Sequence, residues 1–311
     1  MPKLEILKAT QWQDWLAHPI AGDASARTYH RLTSPAGEHA ILMQDPPGDG
    51  CATVAFEQIA IHLCDHGFSA PSILFHASDN GTMVLSDLGR HDVASWLTTY
   101  PEDEVDIYQT ITTLLVELCK IPAPRKISAM THEVAAQSTD LATINYAAKP
   151  ELAAELGHII WRCYDEHVSP ELTLCLRDFH AQNLIWRPDR KRHDRLGLLD
   201  FQDACLAPAG YDLMSLLRDV RRDVPPDLAR QMITRFQNET GGPSDAHLAC
   251  VGAQRNLRIL GVFARLSQSG KPQYQALIPR VWHQLMIDLD HPALHHLRIF
   301  VTRHLPQPEG P

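Results

Sequence analysis

Leu174-Cys-Leu-Arg-Asp-Phe-His-Ala-Gln-Asn-Leu-Ile-Trp186, followed by Leu198-Leu-Asp-Phe-Gln-Asp203, is the stretch on which the reading of this chain turns. An acid, Asp178, follows the apolar run Leu172 to Leu176, and an amide, Asn183, comes shortly after it. Leu184 to Trp186 and Leu196 to Leu199 read as two short strands joined by the polar, basic turn Arg187 to Arg195. Closing that hairpin brings Asn183 and Asp200 together at its open end. A carboxylate and an amide oxygen at one point suit a hard divalent cation. Asp178, aimed by its loop, suits the removal of a proton from an acceptor hydroxyl. Taken singly, each acid reads as a turn former or a solvated side chain, so the spacing carries the information. The basic turn itself reads as a solvated loop tip.

At 311 residues the chain suits two unequal domains. A formal net charge of -9 argues against a nucleic-acid or membrane-surface partner, which would call for a basic face. The seven cysteines include no C-x-x-C pair, a usage that fits reduced thiols in a reducing compartment. Met1-Pro-Lys-Leu-Glu-Ile6 lacks the apolar run of a signal peptide, and no later segment reaches the length of a membrane span. The expected setting is the cytoplasm.

Residues 4–17 are predicted to form an amphipathic lead-in helix. A small-residue turn at Gly22 then enters a strand ending near Leu32, and His39 to Met43 returns after the Ser34-Pro-Ala-Gly37 turn as a hairpin. Asp45 to Gly50 is a loop by composition. A helix over 53–66 ends at Gly67, and strands 71–77 and 82–86 flank Asn80-Gly81. Past Asp87-Leu-Gly89 helical periodicity takes over, which places a domain boundary between 86 and 87. Helices are predicted over 102–119, 131–147, 151–167, 211–222, 226–239, 245–267, 274–289 and 292–303. The tail from Pro306 is expected to lack fixed structure.

The order Asp178, Asn183, Asp200 resembles the catalytic loop and metal-binding acid of the protein-kinase-like fold. The chain resembles the aminoglycoside-phosphotransferase-like branch of that fold. Within it, the chain is similar to the bacterial anomeric kinases of N-acetylmuramate and N-acetylglucosamine, which serve peptidoglycan recycling. The likeness rests on Asp23-Ala-Ser-Ala-Arg-Thr-Tyr-His-Arg31, Leu42-Met-Gln-Asp-Pro-Pro47, Leu85-Ser-Asp-Leu-Gly89, Arg177-Asp-Phe-His-Ala-Gln-Asn-Leu184, Leu199-Asp-Phe-Gln-Asp-Ala204 and Tyr211-Asp-Leu213. It extends to Gln254–Arg265 and Gly270-Lys-Pro-Gln-Tyr274. It implies an α+β, two-lobe protein-kinase-like fold, with a small β-rich nucleotide-binding lobe over 1–86 and a larger, mainly helical lobe over 87–311. ATP with Mg2+ is the implied donor, and the implied acceptor is a small molecule, an amino sugar. Asp178 would be the base, and Asn183 and Asp200 the metal ligands. Ser25 in the first turn and Asp87 and Leu88 in the linker would meet the nucleotide. Asp203 and Arg255 would line the acceptor pocket, and Asp212 would prop the catalytic loop. Read without the resemblance, Asp212 is equally a helix N-cap, and Arg255, Arg258 and Arg265 equally mark one exposed helix face.

Two departures stand out. The usual His two residues before the catalytic acid is Leu176, and no lysine occurs on the early strands, Lys3 and Lys8 being the only ones before residue 87. Arg27 or Arg31 is the expected replacement cation, though the two read equally as an exposed basic pair. Glu57 would orient such an arginine or else lie solvated on its helix. Two other functions remain open on the sequence. One is a kinase of an aminoglycoside or an amino alcohol such as choline, with the acids of 102–106 near a cationic acceptor. The other is a nucleotide-binding pseudokinase, which the missing lysine favours and the complete Asp178, Asn183 and Asp200 set disfavours.

Overall fold

A computed structural model describes residues 5–20, 27–45 and 51–309. The Gly22 turn with Ser25, and residues 46–50 of the loop after Asp45, lie outside the described residues. In chain order the first elements are β1 (Leu16–Ile20), β2 (Thr28–Thr33), β3 (His39–Gln44), α1 (Cys51–Asp65), β4 (Ile73–Ala77), β5 (Thr82–Ser86) and α2 (Val93–Thr99). Then come α3 (Glu104–Leu118), α4 (His132–Gln137), α5 (Ala153–His167), β6 (Leu172–Cys175), β7 (Leu184–Trp186), β8 (Leu196–Leu198) and β9 (Cys205–Pro208). The chain closes with α6 (Tyr211–Leu217), α7 (Pro226–Thr240), α8 (Asp245–Gln268), α9 (Ile278–Leu289) and α10 (His295–His304). An antiparallel sheet followed by a mainly helical remainder makes this an α+β chain.

Contacts divide the chain into two units: Met1–Thr99 with Gln182–Asp203, and Tyr100–Ala181 with Ala204–Pro311. The first holds a five-stranded sheet in the order β1-β2-β3-β5-β4. Leu32, Ala40, Leu42 and Val84 leave it on one face and pack with Leu7, Trp12 and Ala17 from the N-terminal segment. The helix predicted over 4–17 does not form. Thr10 donates its hydroxyl to the Leu7 carbonyl and accepts from the Trp12 N–H, which gives the backbone a run of turns in place of a helix. The chain then extends as β1, in register with β2 from Leu16↔Thr33 to Ile20↔Tyr29. Pro19 fits there because β1 is an edge strand.

Gly81, in the left-handed region at φ 65°, turns β4 into β5. A side chain there would press on Asp45, whose Cβ would stand 3.1 Å away, while the Asp45 N–H donates to the Gly81 carbonyl at 2.9 Å. The turn thereby fixes an acid at the end of β3. Helix α2, absent from the sequence expectation, starts where Asp92 accepts the Ser95 N–H at 2.8 Å, an N-cap bond.

In the second unit β6 and β9 pair antiparallel, with Cys175 opposite Cys205. β9 had no alternating pattern by which to find it. The single helix expected over 131–147 is two pieces, α4 and a widened turn over Ala142–Tyr146. Helix α8 passes so close that Gly261 meets the Leu141 backbone directly, and Gln254 donates to the Ala135 carbonyl and the Ser138 hydroxyl. The helix expected over 211–222 stops at Leu217. The tail is held at its first residue, where the Pro306 carbonyl accepts from the Tyr146 hydroxyl. Among the described residues, no helix is long and apolar enough to cross a membrane.

A methyl group on Gly261 would overlap the Leu141 carbonyl, a backbone atom that cannot rotate away. Gly261→Ala is expected to lower the unfolding free energy by about 1–3 kcal/mol, measured by urea titration.

Candidate active site

The first unit carries Asn183 and Asp200, the expected metal ligands. Strands β7 and β8 pair from Leu184↔Leu198 to Trp186↔Leu196, and the Leu199 N–H extends the ladder to the Asn183 carbonyl at 3.0 Å. The residues flanking the hairpin therefore meet: Asn183 Nδ2 lies 3.5 Å from Asp200 Oδ2. Gln202 Nε2 donates to the other carboxylate oxygen, Oδ1, at 2.8 Å. Asp200 sits in the left-handed region at φ 57°, one of the few conformations there open to an acid without glycine's freedom. Phe201 is fully buried and stacks on Phe56 of α1 at 4.8 Å between ring centres, which pins the turn to the helix. One carboxylate and one rotatable amide are hard oxygen donors, too few to cage an ion by themselves but of the chemistry a divalent cation such as Mg2+ would take. Among the described residues no group of three His, Cys, Asp or Glu could hold a metal by itself.

Arg31 of β2 and Arg27, just before that strand, have different surroundings. Arg31 donates through Nε and Nη2 to both oxygens of Asp87, at 2.6 and 3.1 Å, and through Nη2 to the Gly89 carbonyl at 2.7 Å. Asp87 also accepts the Gly89 N–H at 2.9 Å, so the linker acid is tied to the sheet. Its neighbour Leu88 packs over Gly197 of β8. Arg27 is buried, and its Nε donates to Asp45 at 2.5 Å. Burial opposes its charge, but Asp45 and Tyr29 more than offset that and raise its pKa. Tyr29 links this group to the hairpin. Burial pushes its phenol pKa up, Arg27 opposes, and the Asp200 carboxylate adds to the rise. Tyr29 is thus within electrostatic reach of both Arg27 and Asp200. Glu57 orients neither; it faces His76 of β4, with Oε2 3.2 Å from Nδ1.

The second unit carries Asp178, the residue expected to act as base. After β6 the chain turns sharply: Arg177 is left-handed at φ 69°, and the Asp178 N–H donates to the Leu176 carbonyl at 2.9 Å. Asp212, 5 % exposed, holds this turn. It accepts the Leu176 N–H at 2.7 Å, the Arg177 N–H at 3.0 Å and the Cys175 thiol at 3.0 Å. Left-handed Gly210 caps α6, and Asp212 makes no cap bond there, which decides between the two readings of that acid. Burial raises its pKa to about 6 against the opposing pull of those donors. Leu176, standing where a His was expected, works through its backbone and is buried by its side chain.

His180, which carries no signal of its own in the sequence, is 8 % exposed. Burial lowers its pKa to about 4, Arg221 and Arg255 add to the fall, and Asp219 and Asp178 oppose it. Its Nδ1 has no hydrogen-bond partner among the described residues. Arg255 is not on an exposed helix face; it is 5 % exposed, within electrostatic reach of Asp178, Asp219 and Tyr211. Asp203 is an exposed turn residue at the close of the hairpin segment. Helical spacing alone does not show which face of α8 is covered, because the helix is buried along most of its length.

The sequence model of the phosphotransferase enzyme family, APH, matches residues 17–247. The chain belongs to that family. A protein of Caulobacter vibrioides named N-acetylmuramate/N-acetylglucosamine kinase is 31% identical to this phosphotransferase over 98% of this chain and 96% of its own. One of the same name from Pseudomonas aeruginosa is 28% identical, over 86% of this chain and 82% of its own. A choline/ethanolamine kinase family protein from Mesorhizobium loti shares the fold at a TM-score of 0.64, with 13% identity over 94% of this chain and 93% of that one.

Two outcomes follow for the phosphotransferase. Asp212→Ala leaves two buried N–H groups of the catalytic turn without an acceptor, and urea titration should show a loss of about 2–4 kcal/mol, with Asp212→Asn losing less. His180 is held neutral, its folded pKa below the unfolded 6.5, so its contribution is complete above pH 6.5 and disappears as pH falls towards about 4. In paired urea titrations over that window, His180→Gln should lose less stability on acidification than the unaltered protein, by up to about 3 kcal/mol.

Proposed function

We propose that this chain is an ATP-dependent sugar kinase acting on the anomeric hydroxyl of N-acetylmuramate and N-acetylglucosamine, with Mg2+ as its metal. Mg-ATP, when bound, supplies the transferable phosphoryl group. Asn183 and Asp200 would hold the metal, with Arg27 near the phosphates in place of the absent lysine. Ser25, Asp87 and Leu88 would contribute to the nucleotide site. Asp178 would orient the acceptor hydroxyl and accept its proton, and Asp212 would keep that carboxylate aimed by holding the turn beneath it. Asp203 would meet the acceptor from the end of the hairpin segment.

The observation that carries the reading is the Asn183–Asp200 approach at 3.5 Å across the base of the β7–β8 hairpin. It leaves a carboxylate and an amide side by side and favours catalysis over a nucleotide-binding pseudokinase. Support for the amino sugar comes from relatives of that name that match nearly end to end. Likeness to the choline/ethanolamine kinase family is one of fold alone. Cys64, Cys119, Cys163, Cys175, Cys205 and Cys250 are free thiols, in keeping with a cytoplasmic place in cell-wall recycling.

The test is purified protein with Mg-ATP and a panel of N-acetylmuramate, N-acetylglucosamine, choline and an aminoglycoside, with ADP release and the phosphorus spectrum of the product recorded. An anomeric phosphate should form on the amino sugars alone. Asp178→Asn should lower kcat by about 10²–10⁴-fold with ATP binding retained. Turnover of the variant at the unaltered rate would remove Asp178 from its role.

A further inference from the structure

Two arginines of α8 lie deep in the second unit with no acid bound to either. Arg255 is 5 % exposed and Arg258, one turn along, is half-buried. Between them they form no ion pair among the described residues. The one hydrogen bond of Arg255 is from Nη1 to Asn256 Oδ1 at 3.4 Å, long for a charged donor. The Nε groups of both lack an acceptor among the described residues. Burial pulls the Arg255 pKa down and Arg258 pulls it further, whereas Tyr211 holds the Arg258 charge up.

The acids nearby are engaged elsewhere. Asp288 takes Arg218 Nε at 2.8 Å, Asp219 takes the Arg221 N–H at 2.9 Å, and Asp212 is committed to the catalytic turn. Asp178, within electrostatic reach of both arginines, faces the acceptor hydroxyl in the function proposed above. A guanidinium offers five N–H donors in a planar fork that matches a carboxylate or a phosphate. Buried polar groups left unsatisfied are rare and call for a reason. A ligand acceptor that completes the pair is such a reason.

Which anion it is follows from where the pair stands. Arg255 and Arg258 share a unit with the base and lie close to it, on the acceptor's side of the reaction. The metal-side residues Asn183 and Asp200, with Arg27, belong to the other unit. We propose that Arg255 and Arg258 receive a carboxylate carried by the acceptor, and that this contact favours an acidic amino sugar over a neutral one. The inference rests on the sugar-kinase reading. N-acetylmuramate is N-acetylglucosamine bearing a lactyl ether, so the two sugars differ by a single carboxylate-bearing group. One hydroxyl can then be held at Asp178 in both, with the arginines engaged in only one.

The experiment compares kcat and KM for N-acetylmuramate, its methyl ester and N-acetylglucosamine, in the unaltered protein and in Arg258→Gln, Arg258→Lys and Arg255→Lys. With the unaltered protein, esterification should raise KM by about tenfold to a hundredfold, the loss of a charge-assisted contact. This arm needs no variant to fold. Arg258→Gln should raise KM for N-acetylmuramate by a similar factor with kcat little changed, while KM for N-acetylglucosamine moves far less. Arg258→Lys should recover part of the loss. An ester as good as the acid overturns the inference, as do equal losses on both sugars, which would assign the pair to the transferred phosphoryl group or to Asp178. An unaltered protein inert on both sugars removes the sugar-kinase reading and this inference with it.

Discussion

The hold of Asp212 on the turn after β6 is the constraint on which the second unit is organised. A left-handed arginine followed by a tight return to the Leu176 carbonyl is a conformation the local sequence has no propensity to keep. Two N–H groups and a thiol converging on one buried carboxylate keep it. Reaching them needs β9 beside β6, and it needs left-handed Gly210 to start α6 at the right place, where a side chain would collide with Leu248. The cost is an acid buried far enough for its pKa to rise to about 6, against three donors that pull it back. A structural histidine two residues before the acid is thereby dispensable: the backbone of Leu176 carries the contact.

The first unit solves a parallel problem with other means. Asp200 is left-handed as well, and here the fixing element is aromatic, Phe201 stacked on Phe56. In place of a strand lysine the unit has two arginines, Arg27 and Arg31. The arginine nearer the linker is spent on Asp87 and Gly89, where it joins the sheet to the segment that follows. The other is buried against Asp45, with Tyr29 beside it. A buried arginine paired in this way keeps its charge without wandering.

Much of the site was legible because spacing along a hairpin is a geometric statement. Once Leu184–Trp186 and Leu196–Leu199 are strands, Asn183 and Asp200 have to meet. Periodicity likewise located α3, α5, α7 and α8 to within a turn. What stayed hidden depended on partners distant in sequence. β1 is a strand because β2 offers it hydrogen bonds, although residues 4–17 have the pattern of a helix. β9 is defined by β6, and the break after α4 by the approach of Gly261. The buried state of His180 and Arg255 was invisible for the same reason: nothing in a residue's own neighbourhood reports what will cover it. Glu57 was hidden in the same way: it neither meets an arginine nor lies solvated on its helix, because its partner, His76, arrives from a strand.

The hairpin also bears on the order in which the chain can mature. It lies late in the sequence yet belongs to the first unit. Its Leu198 N–H bonds the Ser69 carbonyl, its Trp186 N–H bonds the His91 carbonyl, and Ile185 bridges to Asp92. During synthesis these early carbonyls emerge and must wait for the whole stretch from Tyr100 to Ala181 before their donors exist. Closing so long a loop is slow and entropically costly. The first unit is thus a unit of packing and not of translation. Pro19, on the edge strand made earliest, removes one donor from the side where a stray strand would attach.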